Sequence, residues 1–178
     1  NPPPVLDPFC GSGTVLVPVS VYSDDSVAGQ DESGPVHERW EGPGLAAFEH
    51  YGPAKVACEH ILLDALPGAL VARAGLIVGY GDPSDRFGYW PARFARAADG
   101  ERVLVPPASD PCQVVDVEDL ASWLLAAGLA GTGGVMNATG PLRTLGEVVE
   151  TCRRVTGSRA LPVAADGTWL VEQRVEPW

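Results

Sequence analysis

Phe48-Glu49-His50-Tyr51-Gly52-Pro53-Ala54-Lys55-Val56-Ala57-Cys58-Glu59 is the stretch that decides the fold. Tyr51 and Lys55 stand four residues apart at the start of a segment, Val56 to Leu66, that reads as helix. Residues i and i+4 share one helix face, so the phenol and the ammonium point the same way. A positive charge beside a phenol favours the phenolate. Such a pair suits proton transfer to or from a substrate hydroxyl or carbonyl. Pro53 fits a helix only in the first turn, where amides have no intrahelical acceptor. The helix is therefore expected to begin near Tyr51. Tyr-x-x-x-Lys also occurs by chance on solvated helices, so the neighbouring sequence has to decide.

With 178 residues, 46% of them hydrophobic, the chain has enough apolar material for one domain with a real core. A formal charge of -11 argues against nucleic-acid binding, which needs a basic face. No apolar run reaches membrane-spanning length and no signal peptide is visible. A cytoplasmic protein with neither nucleic-acid nor membrane partners is expected. Cys10, Cys58, Cys112 and Cys152 are too widely spaced for a metal-ligand motif and read as reduced thiols.

Near the beginning, Asp7-Pro8-Phe9-Cys10-Gly11-Ser12-Gly13-Thr14 resembles the first motif of S-adenosylmethionine-dependent methylases. Glycines at such a turn permit close backbone approach. Asn1-Pro2-Pro3-Pro4 resembles a methylase Asn-Pro-Pro-aromatic segment, with Pro4 in the aromatic position. Nothing after Thr14 continues that pattern. Residues 1–17 are expected to be an unrelated methylase-like leader, a fused remnant or gene-prediction artefact, and 18–178 the domain proper.

Val19-Ser20-Val21-Tyr22 reads as the end of a buried strand, and Ser23 to Pro43 as polar loop. The order of Ser-Val-Tyr, acidic loop and Tyr-x-x-x-Lys-x-x-x-Glu resembles the extended short-chain dehydrogenase/reductase family, which includes NAD-dependent epimerases and dehydratases. The resemblance implies that Tyr51 is the acid/base group and also contacts the cofactor, and that Lys55 holds the nicotinamide ribose and tunes Tyr51. The family's serine or threonine falls on Pro18. Ser20 shares its face in an extended strand and is the candidate substitute. Arg73-Ala74-Gly75-Leu76-Ile77-Val78-Gly79-Tyr80-Gly81-Asp82-Pro83 resembles the family's Arg-Pro-x-x-x-x-Gly-Pro-Gly passage. It implies that Ala74 and Gly75 lie beside the nicotinamide.

In Arg86-Phe87-Gly88-Tyr89-Trp90, followed by Arg93 and Arg96, an arginine among aromatics suits a clamp on substrate phosphate or carboxylate. The alternative is a solvated helix face. Arg86 is the candidate substrate ligand. His37, His50 and His60 read as surface residues.

Further segments carry the same resemblance. Ala69 to Arg73 and Val103 to Val105 read as strands. Cys112-Gln113-Val114-Val115-Asp116-Val117-Glu118-Asp119-Leu120-Ala121 is similar to the family's strand-to-helix passage. Its helix, Glu118 to Leu129, carries Leu120, Trp123, Leu124 and Ala127 at helical spacing, a stripe expected in the core. Val135 to Gly140 reads as strand, and Thr144-x-x-Glu147 as a capping box on a helix to about Thr156.

The resemblance implies an α/β chain: a partial Rossmann-type parallel sheet, lacking the N-terminal glycine-rich βαβ unit, with part of a substrate-binding lobe. It implies NAD or NADP, with binding impaired by the missing glycine turn, and a truncated piece with weak or no activity is expected. It further implies a small-molecule substrate bearing a hydroxyl or carbonyl, such as a nucleotide sugar. A non-catalytic dinucleotide-binding protein is the alternative. An incomplete sheet leaves an unpaired edge where a second chain can pair, and a homodimer is the assembly considered.

Overall fold

The structure is a computed structural model that describes residues 21–23, 25, 27, 29–43, 50–82 and 87–172. Pro18, Ser20, Arg86 and the methylase-like leader with Asp7 and Gly11 lie outside the described residues. The elements are α1 (Tyr51–Ala65), β1 (Leu70–Ala74), β2 (Leu76–Val78), α2 (Tyr89–Arg96), β3 (Arg102–Val105), β4 (Pro111–Cys112), β5 (Val114–Asp116), α3 (Val117–Leu129), β6 (Gly134–Ala138), β7 (Arg143–Thr144), α4 (Leu145–Val155), β8 (Leu161–Ala164) and α5 (Gly167–Glu172). Helix α1 begins at Tyr51, as Pro53 requires.

Three strand pairs are parallel: β1 with β6, β2 with β5 and β3 with β8. In the first, Leu70 lies opposite Gly134 and Ala74 opposite Ala138. Parallel neighbours need a crossover connection, and here helices lie between the paired strands. The pair β4 and β7 is antiparallel. The outcome is the expected α/β chain with parallel pairing, in short two-stranded ladders among the described residues.

Local chemistry sets the helix starts. Asp116 Oδ1 accepts the N–H of Glu118 at 2.8 Å and that of Asp119 at 3.4 Å, capping α3. The capping box on α4 is complete. Thr144 Oγ1 accepts the Glu147 N–H at 3.2 Å, and Glu147 Oε2 accepts the Thr144 N–H at 2.8 Å. Helix α4 buries Leu145, Val149 and Cys152, so fraying at its start is felt in the core. Thr144→Ala is expected to cost about 1 kcal/mol, measured as a lower urea midpoint with an unchanged denaturant slope.

Two cores result. Trp90 and Phe94 of α2 pack with Val103 and Val105 of β3, Val149 and Cys152 of α4, and Ala160. The smaller core joins Val21, Tyr22 and Val56, fixing α1 to the segment before the acidic loop. Close backbone approach occurs where the chain leaves β6. A Cβ on Gly140 would lie 1.7 Å from the Val114 carbonyl oxygen, so a side chain there would displace β5.

Two expectations need correction. The α3 stripe is only partly core: Leu120 and Ala127 are buried, but Leu124 is 41% exposed. Leu125 and Leu129 are more exposed still. A helical stripe is buried only where another surface meets it, and the main neighbour of α3 is β5, at its start. The strand expected to end at Tyr22 is represented among the described residues by one antiparallel bridge, Tyr22 to Val36. Val21 and Tyr22 are buried as expected. The loop folds back over them, with the His37 N–H donating to the Val21 carbonyl at 2.9 Å. No helix among the described residues is long and apolar enough to cross a membrane.

Candidate active site

Lys55 Nζ sits 5.1 Å from the centroid of the Tyr51 ring. The two side chains therefore lie together on one face of α1, as their spacing predicts, and both residues are half-buried. Gly52 and Val56 form the buried face of the helix. Loop residue Trp40 crosses the first turn, its N–H donating to the Pro53 carbonyl at 3.0 Å. The Trp40 ring stacks on His50 with centroids 4.2 Å apart. His50 is half-buried and packed on Trp40, while His60 is exposed. The stack holds the residue next to Tyr51.

Ala74 ends β1 opposite Ala138. Gly75 is buried, and its N–H donates to the Ala138 carbonyl at 3.1 Å. A ring lying against Gly75 would meet its α-carbon and carbonyl, because the amide is already spent. Arg93 is committed as well. It pairs with Glu101 at 2.5 Å. The hydrogen bond from Arg93, then that from the Ala98 amide, holds the Glu101 carboxyl below its usual range. Arg96 is exposed. Of the expected arginine clamp, then, Arg93 is half-buried in its ion pair, Arg96 is solvated, and Arg86 is outside the described residues. The thiols of Cys112 and Cys152 are buried and free, and burial pushes both up from the ordinary thiol value. No cluster able to hold a metal ion occurs among the described residues.

The sequence reading missed a buried polar network between α1 and β1. Arg73 is 9% exposed. Its Nε and NH2 groups donate to both oxygens of Glu59 at 3.0 and 2.9 Å. Its NH1 group donates to the Tyr22 hydroxyl at 3.0 Å and the Glu32 carbonyl at 3.2 Å. Tyr22 in turn donates to Asn137 Oδ1 at 2.7 Å, and the guanidinium stacks 4.9 Å from its ring centroid. Burial opposes the Arg73 charge, but the Glu59 and Tyr22 hydrogen bonds outweigh it and hold the guanidinium above its usual range. A signal was present: a charge inside the apolar strand Leu70–Ala74 requires a partner, and Glu59 continues the Tyr51/Lys55 spacing.

These elements form an α/β protein with parallel strand pairing. Over 119 residues the chain is 32% identical to a protein named probable low-salt glycan biosynthesis reductase Agl14 from Haloferax volcanii; the match takes in 65% of this chain and 39% of that protein. In fold it is similar to UDP-N-acetylglucosamine 4-epimerase from Bacillus cereus, with a TM-score of 0.59 and 21% identity, covering 86% of this chain and 54% of that one. The chain thus spans well under two thirds of the length of either protein. No family model matches it. The resemblance read from the sequence stands: the chain is similar to the epimerase-like short-chain dehydrogenases/reductases over part of their length.

Proposed function

We propose that the chain carries the catalytic helix of an NAD(P)-dependent oxidoreductase, epimerase or dehydratase acting on a hydroxyl or carbonyl of a sugar nucleotide. The observation that carries this reading is the Tyr51 phenol and Lys55 ammonium held on one face of a helix that starts at Tyr51. Tyr51 gives or takes the substrate proton. Lys55 donates to the nicotinamide ribose. Ala74 and Gly75 offer backbone against the nicotinamide ring. NAD or NADP, when bound, supplies the hydride acceptor or donor. The names of the two relatives, a glycan biosynthesis reductase and a UDP-sugar epimerase, support a sugar-nucleotide substrate. Ser20 and Arg86 are the proposed substrate contacts, and a homodimer is the assembly to seek by sedimentation.

Titration with NADH, NADPH and S-adenosylmethionine tests the proposal, with energy transfer from tryptophan to the reduced nicotinamide as signal. Saturable binding of NADH or NADPH is expected. Lys55→Ala should weaken it about tenfold or more, since a hydrogen bond from a charged donor contributes about 1.5–3 kcal/mol. Binding of S-adenosylmethionine alone, lost on Asp7→Ala, would overturn the proposal in favour of the methylase remnant.

A further inference from the structure

We infer that Glu59 and Arg73 are positioning residues that set the rotation of α1 and thereby aim Tyr51 and Lys55; this rests on the function proposed for that pair. Tyr51, Lys55 and Glu59 follow one another at intervals of four. At about 100° per residue each step of four drifts by only about 40°, so the three lie on one stripe. Fixing Glu59 fixes the other two. Apolar packing alone leaves the rotation loose, since the buried residues of α1 are only Gly52 and Val56. Gly52 has no side chain to key into a neighbour.

The ion pair supplies what is missing. Its two parallel N–H···O bonds are directional, and both side chains are shielded, at 8% and 12% exposure. Arg73 is itself fixed from the far side by Tyr22 and the Glu32 carbonyl. It also stands in β1 immediately before Ala74, which Gly75 follows. One side-chain pair therefore ties the helix carrying the acid/base residue to the strand proposed to meet the nicotinamide. Neither residue is placed in contact with substrate.

A cycle of variants separates positioning from plain stabilisation. Glu59→Leu joined with Arg73→Met replaces the ion pair by apolar side chains of similar size, a change that folds well in other buried pairs; circular dichroism verifies the fold. NADH affinity is measured for the wild type, for Lys55→Ala, for this double variant, and for the double variant combined with Lys55→Ala. Positioning predicts that the double variant binds about fivefold more weakly or worse, and that adding Lys55→Ala to it costs less than about twofold. Independent, multiplying losses would overturn the inference while leaving the function of Tyr51 and Lys55 intact. Failure of the wild type to bind NADH or NADPH would overturn the function itself, and the positioning role with it. Should the double variant not fold, Glu59→Asp serves in the same cycle: it keeps the charge and shortens the reach by one methylene. The same two patterns, non-additive or multiplying, then support or overturn the inference.

Discussion

Tyr51→Phe is expected to lower kcat by about 10²- to 10⁴-fold, the usual contribution of a positioned general acid or base, while leaving NADH affinity within about twofold of the wild type. Phenylalanine keeps the ring, so the Lys55 ammonium still has an aromatic face at 5.1 Å, and the helix keeps its packing through Gly52 and Val56. Only the hydroxyl is removed. Loss of rate without loss of binding assigns the proton transfer to that oxygen. The opposite pattern is expected for Lys55→Ala, which acts first on cofactor affinity. Steady-state rates with a UDP-sugar and NAD or NADP distinguish the two. Equal kcat for wild type and Tyr51→Phe would remove Tyr51 from the chemistry.

Glu59→Ala is expected to destabilise the fold by about 3–5 kcal/mol, because it leaves the Arg73 guanidinium buried and without its bidentate carboxylate. The remaining acceptors, the Tyr22 hydroxyl and the Glu32 carbonyl, are neutral and do not replace the lost charge. For a chain of this length each kcal/mol shifts Tm by about 2–4 °C, so a fall of roughly 10 °C is expected in a thermal melt. Arg39→Ala is the control. Arg39 pairs with Glu41 at 3.0 Å, but the two side chains are 46% and 75% exposed, and exposed pairs contribute only about 0–1 kcal/mol. Equal melting of Glu59→Ala and Arg39→Ala would show that the Glu59–Arg73 pair is no more than a surface contact.

The pairing of Tyr51 with Lys55 was legible because helix geometry turns a spacing of four into a shared face. The helix start was legible because Pro53 tolerates nothing but a first turn. Thr144 with Glu147 followed in the same way, since a cap and its amide are three residues apart. In contrast, the partners of Arg73 reach it from α1, from Tyr22 and from Glu32. No periodicity links those positions. The α3 stripe failed for a related reason: spacing says which side chains share a face, not whether another element covers it. Leu124 shares the stripe of Leu120 yet stays in solvent.

By itself, then, the sequence determined what short-range geometry determines: helix ends, caps, the apolar strands and the Tyr51/Lys55 face. The tertiary structure alone decided that β1 lies beside β6 and that Arg73 is buried between Glu59 and Tyr22. It also left half of α3 uncovered. Those outcomes depend on surfaces brought together from distant parts of the chain, and burial is a property of the assembled surfaces rather than of any one segment.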